Sequence, residues 1–232
     1  MSPTESAEVS QLGFSHFLAQ ADGVSIFLFV VLLLMSICTW AIVLTKLRAR
    51  IRIKKRRQDF EAWWAAKPEA LDAVPGLTES DFGRLLGDAH HTLDLFKAGE
   101  QAAHPESTQV QEALSRTIQQ SLDLESSRLE SGQTALASIA SCAPFVGLFG
   151  TVWGIYHALL SLGASGQSTL DQVAGPVGEA LIMTALGLAV AIPAAMAFNL
   201  FQRQSRVTLA QLERFAHDFY VQFTAKHRFQ GE

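Results

Sequence analysis

The chain has 232 residues, with 22 Asp and Glu against 18 Lys and Arg and a formal net charge of −4. That acidic excess gives no electrostatic reason to bind nucleic acid, whose phosphates require a basic surface. Hydrophobic residues make up 49%, but no Lys or Arg occurs in residues 1–45 or 131–202, and the second stretch carries Asp171 and Glu179 as its only formal charges. Uncharged runs of that length point to membrane spans and exclude an ordinary soluble core.

Residues 1–23 form an expected N-terminal segment outside the membrane. Within it Phe14, Phe17, Leu18 and Ala21 recur at helical spacing, which predicts a short interfacial helix. No basic segment precedes the first apolar run, and that run is too long for an h-region, so no cleavable signal peptide is expected. The first span is expected over 24–45, about 33 Å of helix. Directly after it comes "KLRARIRIKKRR", from Lys46 to Arg57. The positive-inside rule puts this basic side in the cytoplasm. The same run is suited to lipid head groups.

Residues 46–134 read as a cytoplasmic helical domain, broken at Lys67-Pro68, Pro75-Gly76, Ala98-Gly99 and His104-Pro105. The first span is expected to continue inward towards Trp63 and Trp64. Val110, Leu114, Ile118 and Leu122 recur every four residues, and Glu112 and Arg116 stand at i, i+4. That helix is expected to run without interruption into a second span over 135–162. A Gly/Ser-rich turn outside the membrane follows at 163–172, then a third span over 173–201. A cytoplasmic C-terminal helix over 202–232 completes the chain. The fold class is therefore an all-α membrane protein. Three transmembrane helices extend into a cytoplasmic bundle, with the N-terminus outside and the C-terminus in the cytoplasm. Cys38 and Cys142 fall in apolar runs without metal-ligand spacing and read as buried structural thiols.

The functional question is the carboxylate in "GPVGEALIMTALGLAVAIPAAMAFNLF". A charge at mid-membrane costs about 2.5–3.5 kcal/mol on insertion scales. Glu179 either snorkels to the nearer surface or faces a polar interior or partner helix. Burial would raise its pKa towards neutrality, where a carboxyl can load and release a proton. Thr184 follows on the same helix and Thr151 lies on the preceding one. Each hydroxyl either bonds its own i−4 carbonyl or lines a polar path. Gly147, Gly150, Gly154 and Gly187 suit close helix packing, and Pro144 and Pro193 are expected to bend their helices. His157 is a weaker candidate for the proton path, the alternative being a packed or interfacial histidine. No phosphate-binding loop, HExxH pattern, metal cluster or nucleophile–base arrangement is visible, so no enzyme activity, catalytic residue, metal or cofactor is expected.

"APFVGLFGTVWGI" (143–155), "AGPVGEALIMTALGLAVAIPAAMAFN" (174–199) and "TWAI" (39–42) together resemble the ExbB/TolQ family of proton-channel subunits, related to MotA. The resemblance is specific in the hairpin, weak in the loop, and nearer to ExbB in wording. It implies that Glu179, Thr151, Thr184 and Asn199 fall on the family's pore positions. It also implies a homo-pentamer in the inner membrane around an ExbD-type or TolR-type single-span protein. In the ExbB branch a TonB-type protein carries the energy to outer-membrane uptake of iron chelates and cobalamin. In the TolQ branch the energy serves envelope constriction. A secondary transporter and a membrane scaffold are the competing classes. Three spans and no internal repeat argue against the transporter.

Overall fold

A computed structural model describes residues 22–65, 80–99, 107–165 and 170–228. Among these residues there are five α-helices and no strand: α1 (Gly23–Ala65), α2 (Asp81–Gly99), α3 (Ser107–Glu130), α4 (Gln133–Ser165) and α5 (Leu170–Arg228). Three helical stretches are long and apolar enough to cross a membrane, within Gly23–Arg50, Thr108–Leu160 and Ala180–Ala225. α1 has 43 residues and α5 has 59. A span needs about 20, so both helices run well past any hydrocarbon layer. The expected third span and C-terminal helix are one unbroken helix. The expected interfacial helix, the breaks at 67–68, 75–76 and 104–105, and the centre of the turn at 166–169 lie outside the described residues.

The chain divides into two compact units. The apolar unit holds α1 up to Leu44 together with Gly132–Asn199. Its interior mixes large residues such as Leu32, Leu136 and Met183 with many small ones, and its outside is rich in large ones. Ala143, Ala158, Ala180, Ala191 and Ala194 are buried, whereas Phe145, Phe149, Val152, Leu181, Ile192 and Met196 are exposed. That pattern suits a protein whose outer surface meets lipid or neighbouring subunits, where bulk outside costs nothing and small residues inside let helices close up. Cys38 and Cys142 are both exposed. The expected burial of these thiols is corrected: both sit on the outward faces of their helices, and apolar sequence context in a membrane chain does not mean interior.

The polar unit holds residues 45–131 and 200–232. Its core is built from three helices at helical spacing: Phe82, Leu85, Leu86 and Ala89 of α2, Leu114, Ile118 and Leu122 of α3, and Leu212, Phe215, Ala216 and Phe219 of α5. Phe82 and Phe215 meet edge to face at 5.3 Å. Ser80 caps α2, its Oγ accepting from the Gly83 amide at 3.0 Å, with Asp81 in the first turn. Glu112 pairs with Arg116 at 2.6 Å on the exposed face of α3.

α3 does not continue into α4. It ends at Glu130, and Gly132 adopts a φ of 76° before α4 begins at Gln133. The left-handed conformation is what glycine allows without a Cβ penalty. The expectation of an uninterrupted helix is corrected by this single residue. The apolar periodicity carries on across the turn and hides it.

Candidate functional site

The hairpin of α4 and α5 is set by contact between their backbones. A Cβ added to Gly147 would lie 2.7 Å from the Met183 carbonyl oxygen and 3.1 Å from the Gly187 Cα. One added to Gly187 would lie 2.7 Å from the Ala143 carbonyl oxygen and 3.0 Å from the Gly147 Cα. At Gly154 it would meet the Ala180 Cβ at 2.9 Å, and at Gly150 the Met183 side chain at 3.0 Å. The contacts fall at 147, 150 and 154 on α4 and at 187, 183 and 180 on α5. They form two matching antiparallel stripes, one turn apart at each step.

This closeness brings two hydroxyls together. Thr151 Oγ1 and Thr184 Oγ1 lie 2.8 Å apart. Thr151 Oγ1 also lies 2.8 Å from the Leu148 carbonyl and 3.2 Å from the Gly147 carbonyl, while Thr184 Oγ1 lies 3.4 Å from the Gly147 carbonyl. Each hydroxyl has one proton to give. When Thr184 donates to Thr151 and Thr151 donates to Leu148, both protons are used at good distances. The reverse order has Thr151 donating to Thr184 and Thr184 to the Gly147 carbonyl at the longer distance. Thr151 is buried at 6% exposure. Sequence spacing left open whether each hydroxyl bonds its own helix or looks across. Thr151 does both, and Thr184 reaches across to α4.

The remaining candidates are placed as follows. Glu179 lies on α5, about 7.5 Å along the axis from Thr184, and its side chain lies outside the described residues. Asn199 is exposed on α5, about 22 Å along the axis from Thr184. Pro144 and Pro193 both lie within helices, in α4 and α5. His157 stands on α4 about 120° around the helix from Thr151. Its Nδ1 is 3.3 Å from the Trp153 carbonyl, and its Nε2 is 3.6 Å from Asp22 at the start of α1. Its ring lies 4.6 Å from the Trp153 ring. The structure therefore puts His157 with Trp153 and Asp22, not with the threonine pair. Trp153 Nε1 is buried without a partner among the described residues.

Comparison with known proteins gives the hairpin its context. The profile of the MotA/TolQ/ExbB proton channel family matches residues 89–214, more than half of the chain.

The chain belongs to the MotA/TolQ/ExbB proton channel family.

Among its relatives is the "Biopolymer transport protein ExbB" of Xanthomonas campestris pv. campestris (strain B100), 38% identical over 96% of this chain and 93% of that protein. The protein of the same name from Neisseria meningitidis serogroup A is 39% identical over 86% of this chain and 92% of that protein. A "Tol-Pal system protein TolQ" from Haemophilus influenzae is 33% identical over 82% of this chain and 84% of that protein. The family match takes in all of α4, the described start of α5 and the threonine pair.

Sequence reading missed the ionic cluster of the polar unit. Arg84 donates to both carboxylate oxygens of Glu125 at 2.6 and 2.7 Å and to Asp81 at 2.8 Å, and Arg128 also pairs with Glu125. The Arg84 and Arg128 hydrogen bonds outweigh burial and hold the Glu125 carboxyl below the usual carboxylate range. The Arg128 pairing, at i+3, was legible; the Arg84 pairing spans 41 residues and leaves no local signal. Among the described residues no group of three or more His, Cys, Asp or Glu is arranged to hold a metal ion.

Proposed function

We propose that the chain is an ExbB-like subunit of an inner-membrane proton channel. In this reading several copies, five by family resemblance, enclose the single span of an ExbD-type partner. A TonB-type protein then delivers the work to outer-membrane uptake. The observation that carries the reading is the hydroxyl pair of Thr151, which is buried, and Thr184, which is half-buried, in an apolar hairpin of a proton-channel family member. Two hydroxyls 2.8 Å apart with a carbonyl acceptor at each side can be written in either donor order. Reversal of such a pair is what a proton relay requires.

Glu179 supplies the group that loads and releases the proton. Each charge moved through 100 mV yields about 2.3 kcal/mol, so a few protons suffice for a conformational stroke. Asn199 belongs to the cytoplasmic end of the path. Pro144 and Pro193 lack the amide that would close the helix ladder, which favours bends at those levels. The N-terminus and the 163–172 turn face the periplasm, and the polar unit and C-terminus face the cytoplasm, where the basic residues after α1's apolar part meet anionic lipid.

Glu179→Gln is nearly isosteric but cannot release a proton. The variant is expected to assemble and to abolish energy-dependent siderophore uptake, while Glu179→Asp retains part of it. An assembled Glu179→Gln complex with wild-type uptake would overturn the carboxylate's role and favour a scaffold. The TolQ reading has the Haemophilus influenzae relative behind it. It is separated by complementation: rescue of uptake in a strain lacking its ExbB, against rescue of envelope integrity in one lacking TolQ.

A further inference from the structure

We propose that Lys46 is a positioning residue of this channel, the centre of a clasp by which α1 and α5 grip the C-terminal end of α3. The proposal of a force-transmitting role rests on the proton-channel reading above. The clasp itself rests on geometry alone.

The Lys46 Nζ donates to the Leu129 carbonyl at 2.8 Å. Ser205 Oγ of α5 donates to the same oxygen at 3.2 Å. The Lys46 ammonium also stands 5.7 Å from the centre of the Phe201 ring, and Phe201 is buried. Leu129 lies one residue before the end of α3. The last carbonyls of a helix carry its negative dipole end. A cation there is doubly favoured, by a charge-assisted hydrogen bond and by the ring face. One oxygen therefore receives donors from two other helices.

The contrast with neighbouring cations is informative. Arg48, Arg50, Arg203 and Arg206 are exposed, as a topology signal or a lipid contact requires. Lys46 is instead partly buried and directed at protein. A charge-counting rule treats these residues alike, and the structure separates them.

α3 ends two residues before the left-handed Gly132, so the regular helix is interrupted there. Side-chain contacts from α1 and α5 hold its end at that point. A rotation or shift of either helix would pull on the end of α3 through the Leu129 carbonyl.

The test uses the full complex, purified with its co-expressed partner. Lys46→Met keeps the length of the side chain and removes the charge and its protons. Amide hydrogen exchange across residues 126–134 is expected to rise about tenfold in Lys46→Met, the loss expected of a charge-assisted hydrogen bond. Ser205→Ala should change it less, and Lys46→Arg should restore protection. Siderophore uptake should fall with the exchange effect in assembled Lys46→Met and return in Lys46→Arg. Unchanged exchange in Lys46→Met would overturn the clasp. Raised exchange with wild-type uptake would overturn the transmission role. Should Lys46→Met fail to assemble, Lys46→Gln, which keeps a neutral donor, is read in its place by the same two measurements. Failure of the channel reading shows separately, as full uptake in Glu179→Gln, and leaves the exchange result standing.

Discussion

Glu125 has a side chain only 3% exposed, yet it is held ionised. Burial works against its charge, and the hydrogen bonds and charges of Arg84 and Arg128 overcome that opposition. Its folded pKa is thus depressed below the unfolded one. The stability it contributes is complete above the ordinary carboxylate value of 4.5 and is lost as pH falls through the lower folded value. The thermal midpoint of the purified chain should drop on acidification below that range, and Glu125→Gln should remove that component of the drop. At neutral pH Glu125→Ala leaves Arg84 to Asp81 alone and Arg128, 58% exposed, to solvent. Arg84 is 29% exposed, so screening and the remaining partner bring the cost below that of a broken buried pair, to about 2 kcal/mol. A neutral-pH midpoint equal to wild type would show that the cluster is dispensable. The threonine pair invites a different measurement. Thr151→Val and Thr184→Val each remove the same shared hydrogen bond, so their effects on stability should not add in the double variant. Each alone should cost about 1 kcal/mol and impair uptake, with Ser milder at both positions. Strict additivity would mean that the hydroxyls do not bond each other.

Helix contacts give a ranked expectation. Alanine at Gly147 or Gly187 drives a Cβ into a carbonyl oxygen of the facing backbone, which has nowhere to retreat. These variants should cost about 3 kcal/mol, the upper part of the overpacking range, and reduce assembly. Gly154→Ala meets the Ala180 Cβ at 2.9 Å and Gly150→Ala the Met183 Cβ at 3.0 Å, carbon contacts longer than the 2.7 Å to a carbonyl oxygen, so these two should be milder. An equal effect at all four positions, read by thermal unfolding, would deny that backbone contact sets the hairpin. In α3, Ile118→Pro should cost about 3 kcal/mol or more, while exposed Gln119→Ala should be tolerated; normal assembly of the proline variant would show that helix α3 is not needed. Much at this scale was legible in the sequence, because it rests on local spacing: the four-residue steps of α3, the Glu112–Arg116 pair and the small residues of the hairpin. What was not legible depends on the third dimension. The meeting of Thr151 and Thr184 across the hairpin is one such feature. The break at Gly132 was hidden because a glycine in an apolar run signals packing as readily as a turn.

On the scale of the whole chain, composition was the most informative signal. The uncharged stretches gave three membrane-crossing helices, and the family profile agrees with the membrane reading. The contacts of Lys46, Arg84 and Asp22 with distant partners could not be read, since nothing in a sequence marks which exposed-looking charge turns inward. Sidedness is tested by labelling. With Cys38 and Cys142 replaced, a cysteine at Ser165 should react with an impermeant reagent in intact cells and one at Gln101 should not; the opposite pattern would invert the topology. Replacing both native thiols leaves the introduced cysteine as the single thiol to be read. The paired stripes of α4 and α5 have one more consequence, for length. Seven residues separate Gly147 from Gly154, and seven separate Ala180 from Gly187, so the two helices are measured against each other. One inserted residue turns a helix by about 100°. Placed after Gly150, it would bring Leu148 to the position of Gly147 or Trp153 to that of Gly154, where the facing helix leaves no room. An alanine inserted after Gly150 should therefore abolish accumulation of the protein, whereas one inserted within the 163–172 turn should be accepted. Changes of length in this half of the molecule should be accepted in the turn alone, and the hairpin should behave as a part of fixed gauge.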